Sequence, residues 1–333
     1  MFDLYYVESP LQLLSAIEAK RIFAHKSILI VNISNITISD NQIMALLKDD
    51  EWFKIHILKR SKNRRWNTLL TISRTILLYF KYQSKIRNYC YGEFRNIDMT
   101  ALGVALKPEK LILLDDGTFT ITAQNHYIKN NKTAYNVTSI TPFLYSKFLK
   151  IDLKMALVPD LFSFFDFKDS LLDGQTNYFQ KQLKKKIKLD PNKVYYFGSK
   201  SSEAGHLALD TELMILRFVI KRYNQYKIQY IPHRGENSSK LELIKQLGFT
   251  VEPLGRPAEL FFDETDVMPH TIISCYSTTL YSCFSRFSNV NVISIDILTH
   301  LIDSDARINA ECIYSYYKDI GMYIENMEYE SDC

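Results

Sequence analysis

Short β-rich runs alternate with longer amphipathic segments along the first half of the chain, and this alternation constrains the fold more than any other feature. Ser9 and Pro10 have the residue types of a helix N-cap and of the first helical position. The alternation itself is typical of β-α-β units around a parallel sheet. Strands are predicted at 2–7, 27–32, 53–58 and 110–114, with helices near 10–24, 40–49 and 64–88.

The alternation is interrupted between about 151 and 190 and then resumes. A chain of 333 residues suits two domains of ordinary size. We therefore predict an α/β protein with two facing, doubly wound, Rossmann-like domains, 1–175 and 176–333, and a C-terminal helix packing across them. The second-half strands are predicted at 194–197, 228–231, 249–252, 271–275 and 291–295, with helices near 208–222 and 238–246, from Pro257, from Ser277 and over about 305–324.

Composition and charge exclude several classes of protein. Apolar residues make up 47% and charged residues 23%, a balance unlike that of disordered, collagen-like or polytopic membrane proteins. The net charge of +4 is too small to indicate nucleic-acid binding, and neither G-x-x-x-x-G-K-[ST] nor G-x-G-x-x-G occurs. The five cysteines form no C-x-x-C pair and have no histidine at zinc spacing, which predicts a reducing compartment and no metal site. With no signal-peptide core and no run of about 18 apolar residues, we expect a cytoplasmic protein.

An apolar strand ends directly in Asp115, Asp116 and Gly117. Ligands bind at the carboxyl ends of parallel strands, so both carboxylates would lie where a general base is useful. Asp and Gly are also common turn residues, and a turn in which an Asp caps the next helix fits equally well. A metal site is a third interpretation, which no further Asp or His pattern supports. The spacing alone leaves these alternatives open.

A second polar sequence, Pro232, His233 and Arg234, follows the predicted strand at 228–231. A histidine beside an arginine can act as a general acid or hold a phosphate, because both side chains offer donors to an anion. A loop histidine with no chemical task is the other interpretation.

Three hydroxyl residues, Ser277, Thr278 and Thr279, open a helix after the predicted strand at 271–275. Free backbone N–H groups, the helix dipole and the hydroxyls together suit a phosphate. Ser277 could also serve only as the N-cap, and the two functions are compatible.

The stretch from Trp52 to Gly92 contains ten Lys and Arg residues and no Asp or Glu. Its cations, between Lys54 and Arg87, interleave with apolar residues as in a basic amphipathic helix that lies on an anionic leaflet. A solvated cationic face over an ordinary packed helix is the alternative. Peripheral contact of segment 54–87 with the cytoplasmic face of the inner membrane is therefore an open interpretation.

Taken in order, these motifs resemble the bacterial GT-B sialyltransferases, in particular the lipooligosaccharide and capsule enzymes of glycosyltransferase family 52 and their polysialyltransferase relatives. The segment from Tyr6 to Ala19 is similar to the family's S/T-P-L-Q-L-L-x-A-I-E opening. Asp115-Asp116-Gly117 matches its D/E-D/E-G motif, and Pro232-His233 the start of its P-H-P motif, from which Arg234 departs. Ser277-Thr278-Thr279 resembles its hydroxyl pair, and Pro257-Ala258-Glu259 its ribose-binding carboxylate.

The resemblance implies a GT-B fold and a role for each matched position. Asp116 is expected to be the general base, supported by Asp115 and Gly117. His233 is expected to be the general acid and a contact of the CMP phosphate. No metal or other cofactor is implied. Donor binding is expected from Pro232, Arg234, Glu259, Ser277, Thr278, Thr279 and Gly198, and the acceptor side from Ser9, Pro10 and Gln12.

The implied reaction is inverting transfer of sialic acid, or a related nonulosonic acid, from CMP to a hydroxyl of a bacterial surface glycan, either lipooligosaccharide or capsule. The family also contains glucosyltransferases, and Arg234 stands where a second proline is usual. A transferase with another donor, such as a nucleotide-activated hexose, is therefore one alternative. A non-catalytic component of polysaccharide assembly that docks through segment 54–87 is the alternative from a different class.

Overall fold

The structure is a computed structural model that describes residues 1–33, 37–48, 50–61, 63–154, 157–179 and 183–327. The chain divides into two compact units, Met1–Lys181 and Gln182–Cys333. The predicted domain boundary at 175/176 lies shortly before this division, and Tyr178 and Phe179 still pack on the core of the first unit. Lys62 of the basic segment and Cys333 lie outside the described residues.

The first unit is built around a six-stranded parallel sheet. Its strands β1 to β6 are Phe2–Val7, Ser27–Ile33, Lys54–Lys59, Ile86–Tyr91, Lys110–Leu114 and Asp160–Phe162. Its helices α1 to α6 are Pro10–Phe23, Thr37–Leu46, Arg64–Tyr82, Ile97–Leu106, Phe119–Thr122 and Ile140–Leu149, with a π-helical turn at Ala123–Ile128.

The strand order of this sheet is β3-β2-β1-β4-β5-β6, and every neighbouring pair is parallel. This is the Rossmann-like order, in which the chain reverses direction across the sheet between β1 and β4. β2 is buried along its whole length and β1 from Asp3 onward, as the continuous apolar runs of a two-sided sheet require. The loops after β1, β4 and β5 therefore meet at one edge, beside the switch point.

The prediction of one helix over 64–88 is wrong at its C-terminal end. The helix stops at Tyr82, Ser84 takes a positive φ of 61°, and Ile86–Tyr91 is the central strand β4. Tyr89, Cys90 and Tyr91 are fully buried between their neighbours. Aromatic side chains suit a pleated, buried surface, and this tertiary burial outweighs the helical periodicity that precedes it.

The second unit repeats the architecture of the first. Its strands β7 to β12 are Lys188–Phe197, Lys227–Ile231, Thr250–Val251, Val267–Ser274, Asn291–Asp296 and Tyr323–Asn326. The order β12-β11-β10-β7-β8-β9 is again Rossmann-like, with the reversal between β7 and β10. Its helices α7 to α11 are Leu209–Arg222, Ser238–Gln246, Ala258–Glu264, Thr278–Arg286 and Ser304–Asp319, with a 3-10 turn at Leu298–His300.

The terminal helix is shorter than predicted. It ends at Asp319, and part of the segment assigned to it forms the edge strand β12. Gly321, with a φ of 77°, makes the turn between them. The apolar stripe packs against the second sheet: the hydroxyl of Tyr317 donates to the carbonyl of Ser277 and that of Tyr314 to the carbonyl of Ile295. Among the described residues, no helix combines the length and apolar character needed to cross a bilayer.

Candidate functional site

Polar side chains gather at the carboxyl edge of the first sheet, in what we call the acidic site: Gln12, Glu93, Arg95 and Asp116. Gln12 lies on α1, Glu93 and Arg95 follow β4, and Asp116 follows β5. The amide of Gln12 donates to Oδ1 of Asp116 at 2.6 Å. These two residues, 104 positions apart, are thus brought into direct contact by the Rossmann-like topology.

Gln12 is held at both ends of its side-chain amide. Its Oε1 accepts from the backbone N–H of Glu8 at 2.8 Å, while its Nε2 donates to Asp116. The side chain passes directly over Gly92, where a Cβ would lie 2.5 Å from Cδ and 2.7 Å from Cγ of Gln12. Glycine at position 92 is therefore a steric requirement of the acidic site.

Ser9 and Pro10 prepare the helix that carries Gln12. Ser9 is the N-cap of α1 and its side chain accepts from the backbone N–H of Gln12 at 3.2 Å, with Pro10 in the first turn. The predicted cap is confirmed. The capping fixes the first turn of α1, so these two residues position Gln12.

Glu93 and Arg95 form a bidentate ion pair beside Asp116. Nε and Nη2 of Arg95 donate to the two carboxylate oxygens of Glu93 at 2.8 and 2.7 Å. Nη2 also reaches Oδ2 of Asp116, at 3.4 Å, and the guanidinium carbon lies 3.8 Å from the ring centroid of Phe119. The paired, planar geometry and the aromatic contact together hold the guanidinium in place.

The two carboxyl groups of the acidic site ionise differently. For Asp116, burial and then the charge of Glu93 raise the pKa well above its ordinary range, and Arg95 offsets only part of this. For Glu93, burial raises the pKa, but the hydrogen bonds and charge of Arg95 outweigh it and leave the pKa below its ordinary value. Asp116 is therefore the more readily protonated of the two carboxyl groups.

Asp115, unlike Asp116, is buried and bonded to the residues that follow β6. It is 2% exposed, and its oxygens accept from the hydroxyl of Ser163 at 2.5 Å and from the backbone N–H of Phe164 at 2.7 Å. Burial raises its pKa to about 7 against these hydrogen bonds. Asp115 thus joins the end of β5 to the end of β6. Neither Asp caps the following helix, because the N-cap of α5 is Thr118, and Gly117 makes the turn with a φ of 67°.

A second group of polar residues lies at the carboxyl edge of the second sheet, in what we call the histidine site: His233, Glu236 and Lys240, with Ser199 after β7. The backbone N–H of His233 donates to Oε2 of Glu236 at 2.5 Å, and Tyr230 donates to Oε1 at 2.6 Å. Pro232 directly follows β8 and precedes His233. Arg234, which follows His233, is exposed. The loop after β8 is thus held by the carboxylate of Glu236, a residue of the same loop.

The His233 ring has a defined protonation state. The backbone N–H of Gly235 donates to Nδ1 at 3.0 Å, which puts the proton of the neutral ring on Nε2. Burial, and then the charges of Arg234 and Lys200, lower the pKa of His233 to about 4. At neutral pH the unliganded ring is therefore a neutral hydrogen-bond donor through Nε2–H.

Lys240 is a buried cation surrounded by carboxylates. It is 3% exposed, and its Nζ lies 2.7 Å from Glu212, 3.0 Å from Glu236 and 3.2 Å from Glu203. It also donates to the carbonyl of Ser199 at 2.8 Å. Burial lowers the pKa of Lys240, but these carboxylates, Glu236 foremost, outweigh it and raise the pKa. Lys240 therefore connects the loops after β7 and β8.

Gly198 is needed for this arrangement. A Cβ at Gly198 would lie 2.5 Å from Cζ of Tyr230 and 2.7 Å from Oε2 of Glu236. The residue predicted to bind the donor therefore makes room for the carboxylate that holds His233.

The hydroxyl residues lie at the start of α10. This helix follows β10, which is the neighbour of β7 in the second sheet. Ser277 is the N-cap and accepts from the backbone N–H of Thr279 at 3.2 Å, and all three hydroxyl residues are half-buried. Glu259, in the first turn of α9, accepts from Ser282 of α10 at 3.4 Å. The capping expected of Ser277 is confirmed, and Glu259 lies against the same helix.

Sequence reasoning missed Glu93, Arg95 and Lys240. Glu93 was missed because no strand was predicted at β4, whose first residues, 86–88, fell in the predicted helix, although Tyr89 to Gly92 followed by an acid resembles the pattern that singled out Asp115. Lys240 has no local signal, since one lysine on a helix is ordinary. Among the described residues, no three His, Cys, Asp or Glu side chains converge to hold a metal ion.

Comparison with known proteins gives a likeness of fold. No protein-family model matches the chain, and no curated protein matches its sequence. Among solved structures, TcCGT1 in complex with UDP has a TM-score of 0.53 at 9% identity, covering 98% of this chain and 86% of that one. S. aureus MnaA with UDP has a TM-score of 0.50 at 10% identity, covering 96% and 87%. The predicted two-domain Rossmann-like fold, the GT-B architecture, is confirmed.

An α/β-galactoside α-2,3-sialyltransferase from the luminous marine bacterium Photobacterium phosphoreum is also similar, at 11% identity with 98% of each chain covered. Its TM-score of 0.44 is too low to add to the assignment of the fold. Membership of glycosyltransferase family 52 stays a prediction.

Proposed function

We propose that this protein is an inverting, metal-independent glycosyltransferase that moves sialic acid, or a related nonulosonic acid, from CMP to a hydroxyl of a bacterial surface glycan such as lipooligosaccharide or capsule. The observation that carries the proposal is the 2.6 Å contact between Gln12 and Asp116. Two motifs that resemble the family, far apart in sequence, thus meet at the ligand edge of a Rossmann-like sheet.

In the proposed reaction, Asp116 is the general base. The acceptor hydroxyl oxygen bonds to C2 of the sugar, and its proton passes to the ionised carboxylate of Asp116. The bond from C2 to the phosphate oxygen breaks, and CMP leaves with the electron pair. Gln12 holds Oδ1 of Asp116, so that one oxygen is fixed while the other faces Arg95.

The second unit would supply the donor side. The neutral Nε2–H of His233, the hydroxyls of Ser277, Thr278 and Thr279 and the N-terminus of α10 are all donors suited to one phosphate. The donor phosphate is a diester with one negative charge, and a second charge develops on it as the bond to C2 breaks. This anion beside His233 would raise its pKa, so that the ring can take up a proton and pass it to the leaving phosphate. Glu259 is the proposed partner of the ribose hydroxyls.

A second candidate donor is a UDP-activated hexose. The two structures with the higher TM-scores, TcCGT1 and S. aureus MnaA, both contain UDP. In that case the same Asp116 and the same hydroxyl residues would act, and the larger diphosphate would need the additional cation that Arg234 offers next to His233.

We also propose that helix α3 rests on the cytoplasmic face of the inner membrane. Trp66, Leu77 and Phe80 of this helix are 63%, 68% and 58% exposed, and the surrounding segment carries no acidic residue. Exposed large apolar side chains among cations match an anionic lipid surface.

A donor panel tests the proposal. CMP should raise the melting temperature more than CDP or UDP if the donor is a CMP-sugar, because a ligand that binds the native state stabilises it. Asp116→Ala should retain this stabilisation and lose transfer by about 10²-fold or more. His233→Ala should lose both. Wild-type CMP release by Asp116→Ala in the presence of acceptor would contradict the role of the base, and stronger stabilisation by UDP would favour the hexose donor.

A further inference from the structure

The acidic site contains a second carboxyl group, Glu93, to which no motif assigned a role. Glu93 and Asp116 follow the neighbouring strands β4 and β5, and Nη2 of Arg95 lies between their carboxyl groups, 2.7 Å from Glu93 and 3.4 Å from Asp116. Both are nearly buried, with side chains 12% and 16% exposed. Two nearly buried carboxylates that share one cation repel each other, so ionisation of one disfavours ionisation of the other. One proton held by the pair relieves this repulsion.

Arg95 decides which of the two carries that proton. It makes two charge-assisted hydrogen bonds to Glu93, at 2.8 and 2.7 Å, and its own backbone N–H donates to Glu93 at 3.0 Å. Its distance to Asp116 is 3.4 Å. The negative charge is thus best stabilised on Glu93, and the proton belongs to Asp116.

We propose that Glu93, held by Arg95, is a positioning residue that keeps Asp116 protonated in the free enzyme and so sets the pH above which Asp116 acts as the base. The inference rests on the proposed function of Asp116. The proton on Asp116 passes to solvent first. The resulting carboxylate then takes the acceptor proton as the new C–O bond forms and the bond to CMP breaks.

The other charged groups near Asp116 are oriented away from it or act through Arg95. Glu8 influences Arg95 and itself accepts from Arg60 at 2.8 Å. Asp115 directs its oxygens to Ser163 and Phe164. The partners from α1 and α5 are neutral: the Gln12 amide, and Thr120, whose hydroxyl accepts from the Asp116 backbone N–H. Glu93 is therefore the neighbouring negative charge whose removal changes Asp116 most directly.

The test is the pH dependence of transfer by the full chain, wild type against Glu93→Gln. Glutamine keeps the shape of the side chain and removes its charge, which frees Arg95 to pair with Asp116. Both effects favour the ionised form of Asp116. The acid limb of Glu93→Gln should therefore lie at lower pH. At the pH where wild type reaches half of its maximal transfer rate, Glu93→Gln should already be close to its own maximal rate, which is lower than that of wild type. If the acid limbs of the two pH profiles coincide and only the maximal transfer rate of Glu93→Gln is reduced, the proposal is overturned.

A second variant covers the case in which Glu93→Gln does not fold. Arg95→Gln removes the cation shared by both carboxyl groups, so the acid limb should move the other way, to higher pH. The side chain of Arg95 is 50% exposed, so this variant changes the charge of the site from the solvent side and leaves both carboxyl groups in place. An unmoved or a lowered acid limb in Arg95→Gln would overturn the proposal.

A direct titration separates this inference from the proposed function. The ¹³C carboxyl resonance of Asp116, assigned by its loss in Asp116→Asn, is followed against pH without any sugar nucleotide. It should titrate at lower pH in Glu93→Gln than in wild type, whatever reaction the protein catalyses. Identical titrations would refute the role of Glu93. The expected difference without any transfer from CMP-sialic acid would refute only the reaction.

Discussion

Gly92→Ala should disconnect Gln12 from Asp116 without a backbone clash. The new Cβ would lie 2.5 Å from Cδ and 2.7 Å from Cγ of Gln12, and these are atoms of a side chain that can rotate away. Rotation breaks two hydrogen bonds, to Asp116 and from Glu8. At about 1 kcal/mol for each, the expected loss is about 2 kcal/mol in the free energy of unfolding. Gly92 is not among the glycines with a positive φ, so alanine itself causes no backbone strain.

A double-mutant cycle with Gln12→Ala measures this clash. In the Gln12→Ala background the obstructing atoms are absent, and Gly92→Ala should be neutral or stabilise by up to about 1 kcal/mol through the unfolded chain. Urea unfolding of the four proteins should therefore give a coupling energy of about 2 kcal/mol. Transfer rates of the two single variants should fall alike. If Gly92→Ala costs the same in both backgrounds, the contact with Gln12 is not the cause and the reasoning fails.

Four further predictions concern charge and surface. Asp116→Asn should abolish transfer yet melt higher than wild type at pH 8, because a carboxyl with a raised pKa stabilises the fold only while protonated and that stability is lost as pH rises through the folded pKa. The pKa of His233, lowered to about 4 from 6.5, should make wild-type stability fall as pH drops from 6.5 to 4, and His233→Gln should flatten this slope in thermal melts. Lys240→Met leaves three buried carboxylates without their cation and should cost about 3–5 kcal/mol in urea unfolding. The double variant Leu77→Ser/Phe80→Ser should sediment less with phosphatidylglycerol vesicles than wild type.

Each of these predictions has a matched control. Asp116→Asn should lose its advantage at pH 4, and an equal gain at both pH values would contradict the ionisation argument. A slope unchanged in His233→Gln would mean that another group is responsible. Glu236→Gln should partly rescue Lys240→Met, since it removes one unpaired charge. Ile302→Ser, at a side chain 69% exposed in the second unit, should leave vesicle binding unchanged, and an equal loss there would argue against a specific face.

Much of the fold follows from local patterns. The apolar run at 110–114 predicts a buried strand, and Ser9 with Pro10 predicts the start of α1, since both signals depend on residues a few positions apart. The strand at 86–91 and the end of the terminal helix at Asp319 were not predictable in this way. In both cases strand pairing within a sheet overrides a helical periodicity, and such pairing is a long-range property.

In the candidate site, too, some features follow from local sequence and others depend on distant residues. The position of Asp116 at a strand end was predictable from its own segment, and so was the cap role of Ser277. The hydrogen bonds that join Asp115 to the end of β6 depended on Ser163 and Phe164, about fifty positions away. The steric need for glycine at Gly92 depended on the path of a side chain from another helix.

The sequence by itself determined that the chain alternates β and α elements in two halves and that Asp116 and His233 each follow a strand. Hydrophobic periodicity, capping and turn chemistry are local, so they can be read from neighbouring residues. Only the tertiary structure decided how these groups ionise. The raised pKa of Asp116 depends on burial and then on Glu93, with Arg95 opposing both, and the lowered pKa of His233 depends on burial and then on Arg234 and Lys200. Burial and charge act through space, and folding alone brings these groups together.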